Sequence, residues 1–156
     1  MCDLDHFKQI NDEYGHSVGD QALVRVAKLI ELHRRDRDLC GRYGGEEFVL
    51  VLEDSDGQTA LTVAERLRHA VETFVFIADD RRIALRISAG VAAFPELYAD
   101  SGDEVLDLAD EALYEAKRQG RNLALLNLGL KCYRSGEGDL IEGEGSEERP
   151  EIPRLF

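Results

Sequence analysis

The chain has 156 residues, 44% of them hydrophobic, enough for one core and too few for two comfortable domains. Its formal net charge of -13 argues against general nucleic-acid binding, because affinity for a phosphate backbone depends on a basic surface; an anionic ligand must find a local basic cluster or bring its own cation. Cys2, Cys40 and Cys132 are odd in number and lack a C-x-x-C spacing, which argues against a disulfide framework and a zinc site.

In chain order, the start at Met1-Cys2-Asp3 reads as a strand remnant. Leu23, Val26, Ala27 and Ile30 then recur at helical spacing. The segment Arg42-Tyr43-Gly44-Gly45-Glu46-Glu47 runs into the apolar stretch Phe48–Leu52, a pattern that predicts a β-hairpin with a tip free of side chains. A bulky phosphorylated ligand can approach such a backbone closely. After the turn at Asp54–Gly57, Leu61, Ala64, Leu67 and Val71 mark a second helical face, and Ile83–Val91 reads as a strand. Leu106, Ala109, Leu113 and Ala116 mark a third face, closed by Gly120 as the C′ residue, and Leu123–Leu128 is the last strand. Strand, helix, hairpin, helix, strand, helix, strand is a βαββαβ-like order. It predicts an α+β fold, a ferredoxin-like antiparallel sheet with helices covering one face.

The folded domain is expected over 1–128. Residues 129–156 form an acidic Gly/Glu-rich tail, in which Leu140-Ile141 and Ile152–Phe156 are apolar stretches able to dock. From Ser135 to Phe156 there are seven acids and two bases, a net of -5 that leaves -8 for the rest. No run approaches the length of a membrane span and no basic-then-apolar leader is present, so the expected location is cytoplasmic, with no membrane contact by this chain. Asp54-Ser55-Asp56-Gly57 is not a calcium loop, since Gly arrives too early and no Glu closes it, and there is no G-x-x-x-x-G-K-[ST] phosphate loop.

Two acidic groups stand out: Glu46 with Glu47 directly after the glycines, and Asp3 with Asp5 near the start. Carboxylates from two segments can converge on one Mg²⁺, which prefers hard oxygen ligands shared with substrate phosphates. Gly-Gly-Glu-Glu alone is more simply an ordinary turn with solvated carboxylates. The set as a whole resembles the GGDEF family, the diguanylate cyclases. It comprises Asp3-Leu4-Asp5-His6-Phe7-Lys8, Asn11-Asp12, Tyr14-Gly15-His16, Gly19-Asp20, the hairpin, and Ala116-Lys117-Arg118-Gln119-Gly120-Arg121-Asn122, in family order and at family-like spacing. The likeness runs from Asp3 to about Asn122. It implies the palm-like fold of nucleotide cyclases, here without the family's usual N-terminal helix and the start of its first strand. The metal ligand would then sit on a terminus prone to fraying.

The resemblance implies condensation of two GTP into cyclic di-GMP with release of two pyrophosphates. By position in the motif, Asp3, Glu46 and the Leu4 carbonyl are the ligands of Mg²⁺ or Mn²⁺. Glu46 and Glu47, taken as neighbours in a strand that face opposite ways, divide the tasks, with Glu47 the candidate for activating the attacking hydroxyl. Asn11 and Asp20 match the positions that read guanine, although both also read as helix caps. Lys8, Gly44, Gly45, Lys117 and Arg121 match the phosphate-binding positions. Arg35-Asp36-Arg37-Asp38 holds an Arg-x-x-Asp in the frame of the family's inhibitory product site, with five residues intervening before Gly44, and Arg66 aligns with a further arginine there. The implied partners are GTP, cyclic di-GMP, a second copy facing the first for catalysis, and a sensory module upstream in the full-length protein. The alternative is a truncated, weak or inactive domain that binds cyclic di-GMP or GTP as a sensor.

Overall fold

The computed structural model describes residues 1–94, 97, 99–129, 131–134 and 140–142. The expected docking stretch Ile152–Phe156 lies outside them. The chain begins with β1 (Cys2–Leu4), α1 (Phe7–Tyr14), α2 (His16–His33), β2 (Leu39–Gly44), β3 (Glu47–Val51) and α3 (Gly57–Thr73). There follow β4 (Phe76–Ala78), β5 (Arg81–Ile83), β6 (Ile87–Val91), α4 (Gly102–Arg118), β7 (Ala124–Asn127), β8 (Lys131–Arg134) and β9 (Leu140–Glu142). Among the described residues one sheet has the order β2-β3-β1-β6-β7-β8-β9. Its first four strands pair antiparallel throughout, the order of a ferredoxin-like βαββαβ unit. Strand β7 joins parallel to β6 through the α4 crossover, and β8 and β9 continue the sheet antiparallel, past residue 128.

The predicted helical faces are the buried ones. Leu23, Val26 and Ile30 of α2 and Leu61, Leu67 and Val71 of α3 pack with Leu4, Phe48, Ile87 and Ala89 in the main core. Ala112 and Ala116 of α4 pack instead with Leu123 and Leu125. Because neighbours along a strand point to opposite faces, this alternation puts α4 across the sheet from α2 and α3. The expectation of helices on one face is corrected accordingly. Gly90 makes the close approach possible: a Cβ there would lie 2.0 Å from the Ala109 carbonyl oxygen and 2.2 Å from the Leu113 nitrogen.

The stretch Ile83–Val91 is not one strand. Arg81–Ile83 folds back on Phe76–Ala78 as a separate two-stranded ribbon, and only Ile87–Val91 enters the sheet. Asp56 of the turn that failed as a calcium loop caps α3, accepting from the Thr59 N–H at 2.7 Å. The α4 terminus matches its expectation. Gly120, with φ +111, follows the cap residue Gln119; its N–H donates to the Lys117 carbonyl and the Arg121 N–H to the Ala116 carbonyl, the Schellman pattern.

Strand β1 is paired on both sides. Cys2 pairs with Phe48 on one side and Ala89 on the other, and Cys2 and Leu4 are almost wholly buried. Two neighbours tie this short strand into the middle of the sheet, which removes the freedom a terminal segment otherwise has. Among the described residues no helix is long and apolar enough to cross a membrane.

Candidate functional site

Strand β1 carries Asp3 between β3 and β6, with Glu47 opposite it on one side and Ser88 on the other. The Leu4 N–H donates to the Glu46 carbonyl at 3.2 Å, locking β1 to the hairpin tip. Glu46 lies in the turn itself, because β3 begins at Glu47. The two glutamates are therefore separated by turn against strand, not by the alternation of a strand. The turn follows an irregularity: Arg42 pairs with Phe48 and Gly44 with Glu47, leaving Tyr43 as the extra residue. Gly45 sits at φ +31 with open space where a Cβ would be. Arg42, to which the sequence assigns no role, donates from Nε and Nη2 to the Gly45 carbonyl and braces the tip.

Asp3 is 7% exposed, and its carboxylate meets the Lys117 ammonium at 3.0 Å. Burial pushes its pKa up to about 6; Lys117 opposes the rise, while the charges of Glu46 and Glu47 add to it. Three carboxylates of like charge thus act on one another at the end of β1, where an added cation relieves the repulsion. Among the described residues no cluster of three acidic, imidazole or thiol groups forms a complete metal cage. Asp3 and Glu46, near enough for their charges to interact, are instead a partial set of hard oxygen donors. Such a set fits Mg²⁺ or Mn²⁺ completed by water and phosphate oxygens.

Of the expected basic groups, Lys117 is the one that meets these acids among the described contacts. Lys117 lies in the last turn of α4, and Arg121 is exposed just beyond it, at φ 66. Lys8 is exposed in the first turn of α1.

Neither Asn11 nor Asp20 caps a helix. The N-caps of α1 and α2 are His6 and Gly15, and Asn11 and Asp20 lie farther inside. Asn11 is held against Gly19, where a Cβ would overlap its Oδ1, and that buried oxygen has no hydrogen-bond partner. An orphaned polar atom of this kind calls for a ligand or water. Asp20 opens onto a groove of about 450 Å³ shared with Leu23, Arg42 and Phe48. A larger cavity of about 710 Å³ lies at the Met1 end of β1, lined by Val49, Leu67, Val91 and Leu106 among others, and none of the expected site residues borders it.

The Arg35–Asp38 segment closes on itself. The Arg35 N–H donates to Asp38 Oδ2 at 2.8 Å and the Asp38 N–H to the Arg35 carbonyl at 3.1 Å. Asp38 is 4% exposed and its Oδ1 has no partner, while the Arg35 side chain is exposed. Arg66 reaches from α3 to the His33 carbonyl at 2.9 Å, beside this turn. The fold thus brings Arg35, Asp38 and Arg66 to one end of β2, and Asp3, Glu46, Glu47 and Lys117 to the other.

Sequence reading left Asp5 without a settled role. It is 4% exposed, and both its oxygens are taken, one by the Ser88 hydroxyl at 2.8 Å and one by the Asn122 N–H at 2.9 Å. Its position two residues after Asp3 was the available signal, since such residues share a face of an extended strand.

Comparison with known proteins matches residues 1–123 to the family described as "Diguanylate cyclase, GGDEF domain". Diguanylate cyclase A of Treponema denticola is 42% identical over 127 residues, 81% of this chain and 34% of that protein. A diguanylate cyclase of Vibrio cholerae is 42% identical over 120 residues, 77% of this chain and 36% of that protein. The chain therefore spans about a third of the length of the curated relatives it matches. Among solved structures, the active GGEEF domain of a diguanylate cyclase from Vibrio cholerae superposes with a TM-score of 0.72 at 37% identity, covering 81% of this chain and 79% of that one. The GGDEF domain of DgcB from Caulobacter crescentus, in complex with c-di-GMP, gives 0.76 at 33% identity, covering 82% and 75%.

Proposed function

The chain belongs to the diguanylate cyclase GGDEF domain family, and from that premise we propose that it condenses two GTP molecules into cyclic di-GMP with release of two pyrophosphates. The observation that carries this reading is the convergence of Asp3, Glu46, Glu47 and Lys117 where β1 meets the glycine hairpin.

One domain holds one GTP, and two domains face each other so that each 3′-hydroxyl attacks the α-phosphorus of the opposite nucleotide. The bare Gly44-Gly45 backbone receives the triphosphate, with Lys8, Lys117 and Arg121 supplying the positive charge that the chain as a whole lacks. Asp3, Glu46 and the Leu4 carbonyl would hold Mg²⁺ or Mn²⁺; when bound, the ion neutralises phosphate charge and lowers the cost of ionising the hydroxyl. Lys117 pairs with Asp3 at 3.0 Å and would be released toward the phosphates where a metal ion took up that carboxylate. Glu47, in the strand rather than the turn, accepts the hydroxyl proton. Asn11 and Asp20 read the base: a carboxylate accepts from guanine N1–H and the exocyclic amine together, whereas adenine offers no such donor pair. The unpartnered Asn11 Oδ1 supports that assignment. GTP as substrate also assigns the reaction to the cytoplasm.

Product feedback is assigned to Arg35, Asp38 and Arg66. The supporting observation is the closed turn with its free Asp38 Oδ1, an acceptor beside two arginines. That same turn favours a second reading, a domain that binds cyclic di-GMP without turnover. Continuous measurement of pyrophosphate release separates the two. Release from GTP that requires Mg²⁺ and is absent with ATP is expected; equal release from ATP, or none from either nucleotide with cyclic di-GMP still bound, overturns the cyclase reading.

A further inference from the structure

We propose that Asp5 is a positioning residue for this chemistry: its carboxylate fixes the left-handed turn at Arg121–Asn122 and so aims Arg121 at the phosphates of GTP. The inference rests on the cyclase reading above, and it deepens that reading by naming what holds the phosphate-binding end of α4 in place. Arg121 and Asn122 follow the helix with φ of 66° and 48°, a left-handed conformation that Asn tolerates and that is uncommon for Arg. The restraints are visible. The Asn122 N–H donates to Asp5 Oδ2 at 2.9 Å, and its side-chain amide bonds Glu72 at 2.7 Å and Arg68 at 3.1 Å on α3. Asp5 spans 117 positions of sequence to make its contact, and its other oxygen is anchored by Ser88 on β6.

The geometry also separates Asp5 from Asp3. The two carboxylates lie two residues apart, yet Asp3 faces the Lys117 ammonium and Asp5 faces the backbone beyond that helix end. With both oxygens hydrogen-bonded and the side chain 4% exposed, Asp5 is committed to Ser88 and Asn122. The segment from Asp3 to Asp5 therefore supplies one carboxylate that meets the Lys117 ammonium and one that orients a basic turn. Asn can replace Asp in the second task, accepting from Asn122 through its oxygen and donating its amide to the Ser88 hydroxyl, whereas Ala cannot.

The test uses 3′-deoxy-GTP, which lacks the attacking hydroxyl and reports binding without turnover. Its affinity in Mg²⁺ is measured by calorimetry for wild type, Asp5→Ala, Asp5→Asn, Arg121→Ala and the Asp5→Ala/Arg121→Ala double variant. Asp5→Ala and Arg121→Ala are each expected to weaken binding about tenfold, the scale of one charge-assisted hydrogen bond, and the double variant to be no weaker than Arg121→Ala alone. Asp5→Asn is expected to bind as wild type does, with an unchanged Mg²⁺ requirement. Additive losses overturn the inference, as does an Asp5→Asn variant as weak as Asp5→Ala with a raised Mg²⁺ requirement, the signature of a metal ligand. If wild type binds no nucleotide, the cyclase reading fails, and amide exchange then judges the turn by itself. Faster exchange at Asn122 in Asp5→Ala and not in Asp5→Asn supports the restraint; unchanged exchange overturns it.

Discussion

Strand β2 has a charged cluster at each end, and the two are built on different principles. At the Gly44 end, Arg42 braces the tip locally, but the contacts that assemble the cluster join residues far apart in the chain: Asp3 to Lys117, Asp5 to Asn122, Leu4 to Glu46. At the Leu39 end, the Arg35–Asp38 turn is closed by bonds between residues three apart, while Arg66 arrives from α3 and Asp54 pairs with Arg37 at 3.0 Å. About six residues of extended strand, roughly 20 Å, separate them. The first cluster exists only when the sheet register is correct. The second needs little more than its own turn, so its chemistry can change with little effect on folding.

The difference can be broken from the hairpin side. Replacing Glu46 by Ala removes a carboxylate from a half-buried turn that contributes its backbone, not its side chain, to the sheet. The expected result is a loss of turnover on the order of 10³-fold with a melting temperature close to wild type; steady-state pyrophosphate release and thermal unfolding measure the two. Gly90→Ala attacks the register without touching the chemistry. Its Cβ would meet helix backbone at 2.0 Å and 2.2 Å, which no side-chain movement relieves, so a loss of about 3 kcal/mol in urea unfolding is expected. Activity at the hairpin should fall with it, while the Arg35–Asp38 turn persists.

Protonation gives a smaller effect with a definite sign. The Asp3 pKa is raised to about 6, from 3.8 for an unperturbed aspartate, so between these values the folded protein holds a proton that the unfolded chain has released. Stability from this group is therefore highest below about pH 4, falls as pH rises toward about 6, and then levels. In metal-free buffer, wild type should lose on the order of 2 kcal/mol relative to Asp3→Asn across that window; the comparison is made by urea unfolding at several pH values. The opposite slope would mean that Lys117 outweighs burial. Smallest is Arg35→Ala, expected to weaken cyclic di-GMP binding about tenfold by calorimetry while leaving melting temperature and uninhibited turnover unchanged. Equal affinity in wild type and variant would remove the product site from this turn.

The same contrast explains what could be read before the structure. Apolar spacing identified the faces of α2, α3 and α4, because burial on one side of a helix leaves a local periodic trace. Periodicity says which face is buried but not on which side of a sheet, so the position of α4 opposite α2 and α3 was not legible. The ribbon β4–β5 was hidden because Ile83 and Ile87 stand in one apolar run, and only the pairing of Ile83 with Phe76 divides it. Gly44-Gly45 and the Arg35–Asp38 turn were legible as local motifs. The roles of Arg42 and Asp5 were not, because the partner of Asp5 is 117 residues away and that of Arg42 is a backbone carbonyl. Asn11 and Asp20, read locally, looked more like helix caps, and the helix starts at Phe7 and His16 exclude that.

The most direct test of the account is mass spectrometry of the products formed when concentrated protein is incubated with GTP and Mg²⁺, beside Glu46→Ala. The account predicts cyclic di-GMP from wild type and none, or about a thousandth as much, from the variant. Equal amounts from both would contradict the metal site at the hairpin, and none from either would leave a nucleotide-binding domain and no cyclase.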